Sequence, residues 1–222
     1  MERTLIRTED GSATLYVPEL NEHYHSVHGA VQESLHIFIR AGVEESGKEE
    51  LRILEAGFGT GLNAYLTLLH AHRNRLSVAY HTLEKYPLSP EEYHLLNYTE
   101  HSAEPEDLAG IFRQLHESPW ETDLRLTPGF LLHKYRTDFR EIGFSEQFDI
   151  VFFDAFSPEV QPALWSEAVF QKYLRALVPG GILVTYCVKG TVKQALRKVG
   201  FTVKRLPGPP GKREMLRAVK PV

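Results

Sequence analysis

The chain has 222 residues, a formal net charge of −4 and a single cysteine, Cys187. That length carries one sizeable hydrophobic core, and the lone cysteine excludes a disulfide framework or a thiolate cluster for a structural metal. The mild negative charge argues against a grossly basic nucleic-acid binder; no apolar run approaches a membrane span, and the charged start, Met1-Glu2-Arg3-Thr4, carries no secretory h-region, so a cytoplasmic, membrane-free setting is expected.

In chain order, Asp10-Gly11 between short alternating segments predicts a hairpin over Thr8–Tyr16. The stretch from Asn21 to Gly29 is polar and rich in histidine; Leu35, Ile37, Phe38 and Ile39 then predict a helix. Residues 1–45 are expected to form a small N-terminal extension packed on a main domain of residues 46–222. Leu51 to Glu55 reads as a strand, followed by the turn Gly57-Phe58-Gly59-Thr60-Gly61 and a helix with Leu62, Tyr65, Leu66 and Leu69 on one face. Val78–Leu83 predicts the second strand. Pro87–Trp120 reads as helical with breaks at Pro105 and Pro119, and Phe130–Arg136 as a third strand. Phe148–Phe153 is an apolar strand, Pro162–Leu177 a helix, Pro179-Gly180-Gly181 a turn, and Ile182–Tyr186 the next strand. Thr191 is placed to cap a helix that ends at Gly200, and Phe201–Leu206 and Glu214–Val219 close the pattern as a strand pair. Alternating strands and helices with a closing pair define an α/β doubly wound sheet.

The glycine turn narrows the ligand. Its spacing is G-x-G-x-G, and Leu62 stands where a dinucleotide fingerprint needs its third glycine. Glu55, just ahead of the turn, would repel a pyrophosphate but suits a cationic ligand with an amino group. S-adenosyl-L-methionine is such a ligand. The same turn is also compatible with glycines that merely permit tight strand–helix packing.

Ligands of open α/β sheets bind beyond the carboxyl ends of the strands, and Glu55, Glu84, Asp138 and Asp154 sit at such ends. Glu84 lies where a carboxylate can take both ribose hydroxyls, and Asp138 where it can meet an adenine amino group or simply cap a loop. Asp154-Ala155-Phe156-Ser157-Pro158 is the expected reaction centre. Asp154 can hold an amine by a hydrogen bond and take its proton, Phe156 can wall the pocket and Pro158 stiffens the loop. His23, His25 and His28 have no recognised ligand spacing, so no metal is expected. From Lys189 onward there are ten positive residues and one acid, a local charge of +9 that leaves −13 for the remainder of the −4 total. A polyanion could dock on the C-terminal part, or the charges could form an ordinary solvated face.

Asn21-Glu22-His23-Tyr24-His25-Ser26 with Gly29 and Glu33, Glu55 through Asn63, Glu84-Lys85-Tyr86-Pro87-Leu88, Phe153 through Pro158 with Gln161-Pro162 and Trp165, and Gly211-Lys212-Arg213-Glu214-Met215 together resemble the MnmC-type tRNA methyltransferases. The resemblance covers nearly the whole chain and is to the methyltransferase half, without the flavin oxidase, so no FAD is expected. It implies a class I, Rossmann-like methyltransferase fold: a mostly parallel seven-stranded sheet with an antiparallel C-terminal strand. It also implies methylation of the aminomethyl nitrogen of 5-aminomethyl-2-thiouridine at the tRNA wobble position. The S-adenosyl-L-methionine pocket would map onto Glu55, Gly57, Gly59, Gly61, Asn63, Glu84, Lys85, Asp138 and Asp154, the last of these also the essential aspartate. Thr137-Asp138 stands where family members often have Gly-Asp. The anticodon stem-loop would meet Lys189, Lys212 and Arg213, while Tyr24, His25, Glu33 and His36 would close the pocket. A small-molecule amine methyltransferase or aminopropyltransferase, and a binding module without chemistry, are the competing readings.

Overall fold

The structure is a computed structural model in which residues 2–102 and 104–222 are described. Strands β1 (Thr4–Arg7) and β2 (Ala13–Val17) form the expected hairpin, and β3 (Glu22–His23) pairs antiparallel with β2. The turn is closed by Asp10 Oδ1, which accepts from the Ser12 amide at 3.0 Å and the Thr8 hydroxyl at 2.7 Å. Helix α1 (Ala30–Ser34) runs on without a break as a wider π-helical stretch, Leu35–Glu44. Its Ile37, Phe38, Ile39 and Val43 are buried in the same core as the main sheet, with Phe38 packed on Phe152 at a centroid distance of 5.0 Å.

The main sheet is built from β4 (Glu50–Ala56), β5 (Ser77–Leu83), β6 (Asp123–Thr127), β7 (Phe130–Tyr135), β8 (Phe148–Phe153), β9 (Leu177–Thr185), β10 (Thr202–Pro207) and β11 (Glu214–Val219). Its order is β10-β11-β9-β8-β4-β5-β7-β6; β7, β5, β4, β8 and β9 are mutually parallel, and β11 and β6 run against them. The sheet therefore has eight strands rather than the expected seven. The addition is β6, a polar, partly exposed edge strand folded back on β7.

Helix α2 (Leu62–Asn74) covers one face with the π-helical stretch; α6 (Glu167–Ala176) and α7 (Gly190–Lys198) contribute to the core on the other. The helical region expected over Pro87–Trp120 with breaks at Pro105 and Pro119 is three short helices, α3 (Pro90–Tyr93), α4 (Tyr98–His101) and α5 (Ile111–Glu117), with one 3₁₀ turn after Pro105; the chain is interrupted near both prolines and also between α3 and α4. A Ser89–Glu92 capping box starts α3, and Gly110, at φ +80°, restarts the chain before α5. Pro179-Gly180-Gly181 is a bulge inside β9 and not a turn, since the pairing with β8 jumps from Phe148–Leu177 to Ile150–Ile182. Thr191 caps nothing: α7 begins at Gly190, flanked by Lys189, with no side-chain cap. Among the described residues, no helix is long and apolar enough to cross a membrane.

Two consequences position the site. The chain leaves β4 for β5 on one side and later crosses to β8 on the other, so the sheet splits at the carboxyl ends of β4 and β8. The end of β8 is then fixed by Phe153, fully buried against Trp165, Phe170 and Tyr173 at 5.0, 5.2 and 5.1 Å. Deleting such a ring costs about 3–5 kcal/mol.

Candidate active site

A cavity of about 700 Å³ opens at that split. Its walls come from the segments after β4, β5, β7 and β8, roofed by β3 and the residues after it. The size suits a drug-sized or nucleoside ligand.

Gly57, at φ +102°, leaves β4 so tightly that a Cβ there would lie 3.0 Å from the Asp154 carbonyl oxygen. Only glycine turns there without strain, and the turn is thereby pressed against the end of β8. Gly59 N–H donates to Glu84 Oε2 at 3.0 Å, while Glu84 Oε1 accepts from the Tyr86 amide at 2.7 Å. Each Glu84 oxygen keeps a lone pair for a further donor. Burial holds the Glu84 carboxyl above its usual range.

Thr60 is gripped from two sides. His25 Nε2 lies 2.8 Å from its hydroxyl, and His116 Nε2 lies 3.1 Å from its carbonyl oxygen. Desolvation pushes the two imidazoles down to about 4 and about 3, so both are neutral at physiological pH. The neutral His116 ring donates to the carbonyl. His116 is in turn set by Lys134, a fully buried ammonium that donates to the carbonyls of Leu115 and His116 at 2.9 and 2.8 Å.

Asp154 follows β8 into the cavity. Its Oδ2 accepts from Asn63 Nδ2, in the first turn of α2, at 2.8 Å. Desolvation first, and the neighbouring Glu33 charge second, push the Asp154 carboxyl up to about 7. Phe156 packs edge-on against Tyr24 at 5.0 Å, and its carbonyl accepts from Trp165 Nε1 at 2.8 Å. Arg3 donates to the Tyr24 hydroxyl at 3.0 Å and to Glu92 at 2.9 Å, fastening the roof to α3.

Of the residues expected at the cofactor pocket, Gly57, Gly59, Asn63, Glu84, Lys85, Asp138 and Asp154 line the cavity. Glu55 and Gly61 do not. Glu55 is sealed beneath the turn, where Thr82 Oγ1 donates to it at 2.7 Å and burial pushes its carboxyl up to about 8. Gly61 packs on Phe58 and His116. Asp138 lines the wall but also caps its own loop: Arg140 donates through its amide, Nε and Nη2 at 3.0, 2.9 and 2.8 Å, and Lys85 Nζ lies at 3.1 Å. The Arg140 fork holds its carboxyl well below the ordinary carboxylate range.

Tyr24, His25, Glu33 and Lys212 line the same cavity. Pro158, Lys189 and Arg213 line a second one of about 570 Å³, which shares Ser157, Tyr186 and Lys212 with the first. Lys189 is paired with Glu159, Lys212 with Glu33, Lys198 with Glu167, Arg205 with Glu214, Arg217 with Glu45 and Lys220 with Glu146. Six of the ten C-terminal cations are thus met by acids of the fold, while Lys193, Arg197, Lys204 and the exposed Arg213 have no ion pair among the described residues. His36 bonds the Pro207 carbonyl at 2.8 Å, outside the cavity. His23 rests on Tyr16, His25 on Thr60 and His28 on Glu9, three separate partners. Sequence reasoning missed Tyr186, Phe139, Arg140 and His116. Only Arg140 carried a signal, a cation two residues from an expected acid.

A family model described as S-adenosyl-L-methionine-dependent methyltransferase matches residues 111–221, half of the chain, and the chain belongs to that family. It is similar to the tRNA 5-methylaminomethyl-2-thiouridine biosynthesis bifunctional protein MnmC of Azoarcus sp. (strain BH72), 32% identical over 232 residues, with 94% of the chain and 34% of that protein covered. The protein of the same name from Burkholderia mallei (strain SAVP1) is 30% identical over 240 residues, covering 96% and 34%. The chain spans about a third of the length of these relatives. Among solved structures it is similar to MNMC2 from Aquifex aeolicus, with a TM-score of 0.76, 28% identity, and 98% of this chain and 70% of that one covered. A likeness to spermidine synthase from Thermotoga maritima, at a TM-score of 0.56, 14% identity and 99% and 72% coverage, is one of fold alone.

The residues present fit the cofactor. Gly57 and Gly59 line the cavity with backbone alone, Glu84 has spare acceptor capacity in the wall, and the cavity is lined by carboxylates suited to a cationic sulfonium.

Proposed function

We propose that the chain methylates the aminomethyl nitrogen of 5-aminomethyl-2-thiouridine at the wobble position of tRNA, in the cytoplasm, giving 5-methylaminomethyl-2-thiouridine. The names of the relatives support this substrate, as does the likeness to MNMC2, and the observation that carries it is Asp154 at the cavity end of β8, braced by Asn63. Bound S-adenosyl-L-methionine supplies an electrophilic methyl group on a sulfonium centre.

Glu84 would hold the ribose hydroxyls of the cofactor, and Asp138 with Phe139 would border its base. A primary alkyl amine is protonated at neutral pH and has no free lone pair. The Asp154 carboxylate takes the ammonium proton, becoming a carboxylic acid, and the neutral amine turns its freed lone pair away from the carboxyl toward the methyl donor. A carboxyl raised to about 7 is a far better base than an ordinary aspartate. Phe156 and Tyr24 exclude water from one side. Pro158, Lys189 and Arg213 border the second cavity, where the anticodon stem-loop would lie, with residues 1–45 as the roof over the methyltransferase domain. The test is incubation with methyl-labelled S-adenosyl-L-methionine and tRNA with or without the aminomethyl group, followed by nucleoside analysis. Label is expected only in 5-methylaminomethyl-2-thiouridine; label found only in a free small amine would overturn the assignment.

A further inference from the structure

Lys212 is the most confined cation of the site. Its Nζ pairs with Glu33 Oε1 and lies 4.4 Å from the centroid of the Tyr186 ring. Glu33 is 6% exposed, and its other oxygen accepts from the Ser26 amide at 2.8 Å. Tyr186 is fixed by its hydroxyl, which donates to the Ala155 carbonyl at 2.9 Å, one residue from Asp154. Glu33, Tyr186 and Asp154 line one cavity, and Lys212 stands where it meets the second. A carboxylate and an aromatic face around a primary ammonium are the elements of an alkylammonium receptor.

We infer that Glu33 and Tyr186 form the receptor for the acceptor's primary ammonium group, and that Lys212 occupies it as an internal substitute until the acceptor displaces it. This rests on the function proposed above. It divides labour between two carboxylates: Glu33 holds the charged group and Asp154 removes its proton. The displaced Lys212 has the second cavity to turn into, where Lys189 and Arg205 are already paired with Glu159 and Glu214, and Arg213 is the lining cation with no ion pair among the described residues, so Lys212 and Arg213 together can meet a phosphate. Admission of the amine is thereby coupled to docking of the nucleic-acid backbone.

The experiment measures binding of 5-aminomethyluridine and of 5-methyluridine, as free nucleosides, by calorimetry with S-adenosylhomocysteine present. The wild type is expected to prefer the aminomethyl nucleoside. Glu33→Gln keeps the acceptor for Ser26 and is expected to lose that preference about tenfold or more, with S-adenosylhomocysteine affinity unchanged. Lys212→Met removes the competitor and is expected to bind the aminomethyl nucleoside more tightly than the wild type, which keeps the test alive if Glu33→Gln fails to fold. A folded Glu33→Gln protein that retains the preference overturns the receptor, as does weaker aminomethyl binding by a folded Lys212→Met protein. Absence of methyl transfer to aminomethyl-bearing tRNA by the wild type would instead sink the proposed function, a separate readout.

Discussion

Asn63 donates to Asp154 across 2.8 Å, so the first turn of α2 reaches over the sheet to hold the residue that ends β8. The same amide lowers the proton affinity that burial raises. Asn63→Ala therefore drives the Asp154 carboxyl further upward. The ascending limb of kcat/KM against pH is expected near 7 in the wild type and at higher pH in the variant. An unmoved limb would show that another group titrates.

Asp154→Asn keeps the shape and the bond to Asn63 but cannot take a proton. Turnover should fall on the order of 10²–10⁴-fold, with cofactor binding by calorimetry little changed. A loss confined to cofactor affinity would place Asp154 in binding rather than in proton transfer.

Glu84 bridges the Gly59 and Tyr86 amides with one oxygen each. Glu84→Ala leaves both amides without their acceptor and removes the group assigned to the ribose hydroxyls. Cofactor affinity is expected to drop about 10- to 100-fold, read by calorimetry. Retained affinity would mean that the hydroxyls are held elsewhere.

Glu55 makes a prediction about stability. Its carboxyl sits at about 8 in the fold against an ordinary value of 4.5, so folding favours the neutral form. Its contribution is fully present below 4.5 and is lost as pH rises to about 8. Glu55→Gln should therefore stabilise the fold at pH 9, by a free energy bounded at roughly 5 kcal/mol and read as a higher melting temperature, and the gap should close toward pH 5. A gap that persists unchanged at pH 5 would show that the gain has another source.

The central strands were legible because they carry unmistakable patterns: Phe148–Phe153 is apolar throughout, and the strand before Gly57 ends in the only glycine turn of its kind. Strand β6 was not, although Leu124 and Leu126 alternate with polar residues, because Asp123–Thr127 is only five residues long and pairs on one side, at the sheet edge. The acids at strand ends were visible, but their fates were not. Nothing in the spacing tells Glu55, buried beneath the turn, from Glu84, which faces the cavity, since burial is set by what lies on the other side of the sheet. His116 was hidden for a similar reason: its partner Thr60 lies 56 residues away.

The Glu33–Lys212 pair joins positions 179 residues apart in sequence. Synthesis proceeds from the N-terminus, and domains begin to organise as they emerge. On a ribosome the glycine turn and Glu84 are made long before Lys212. Glu33 is made earlier still, so the pair that ties it to Lys212, and with it the completed cavity, waits until the last strand pair has been made.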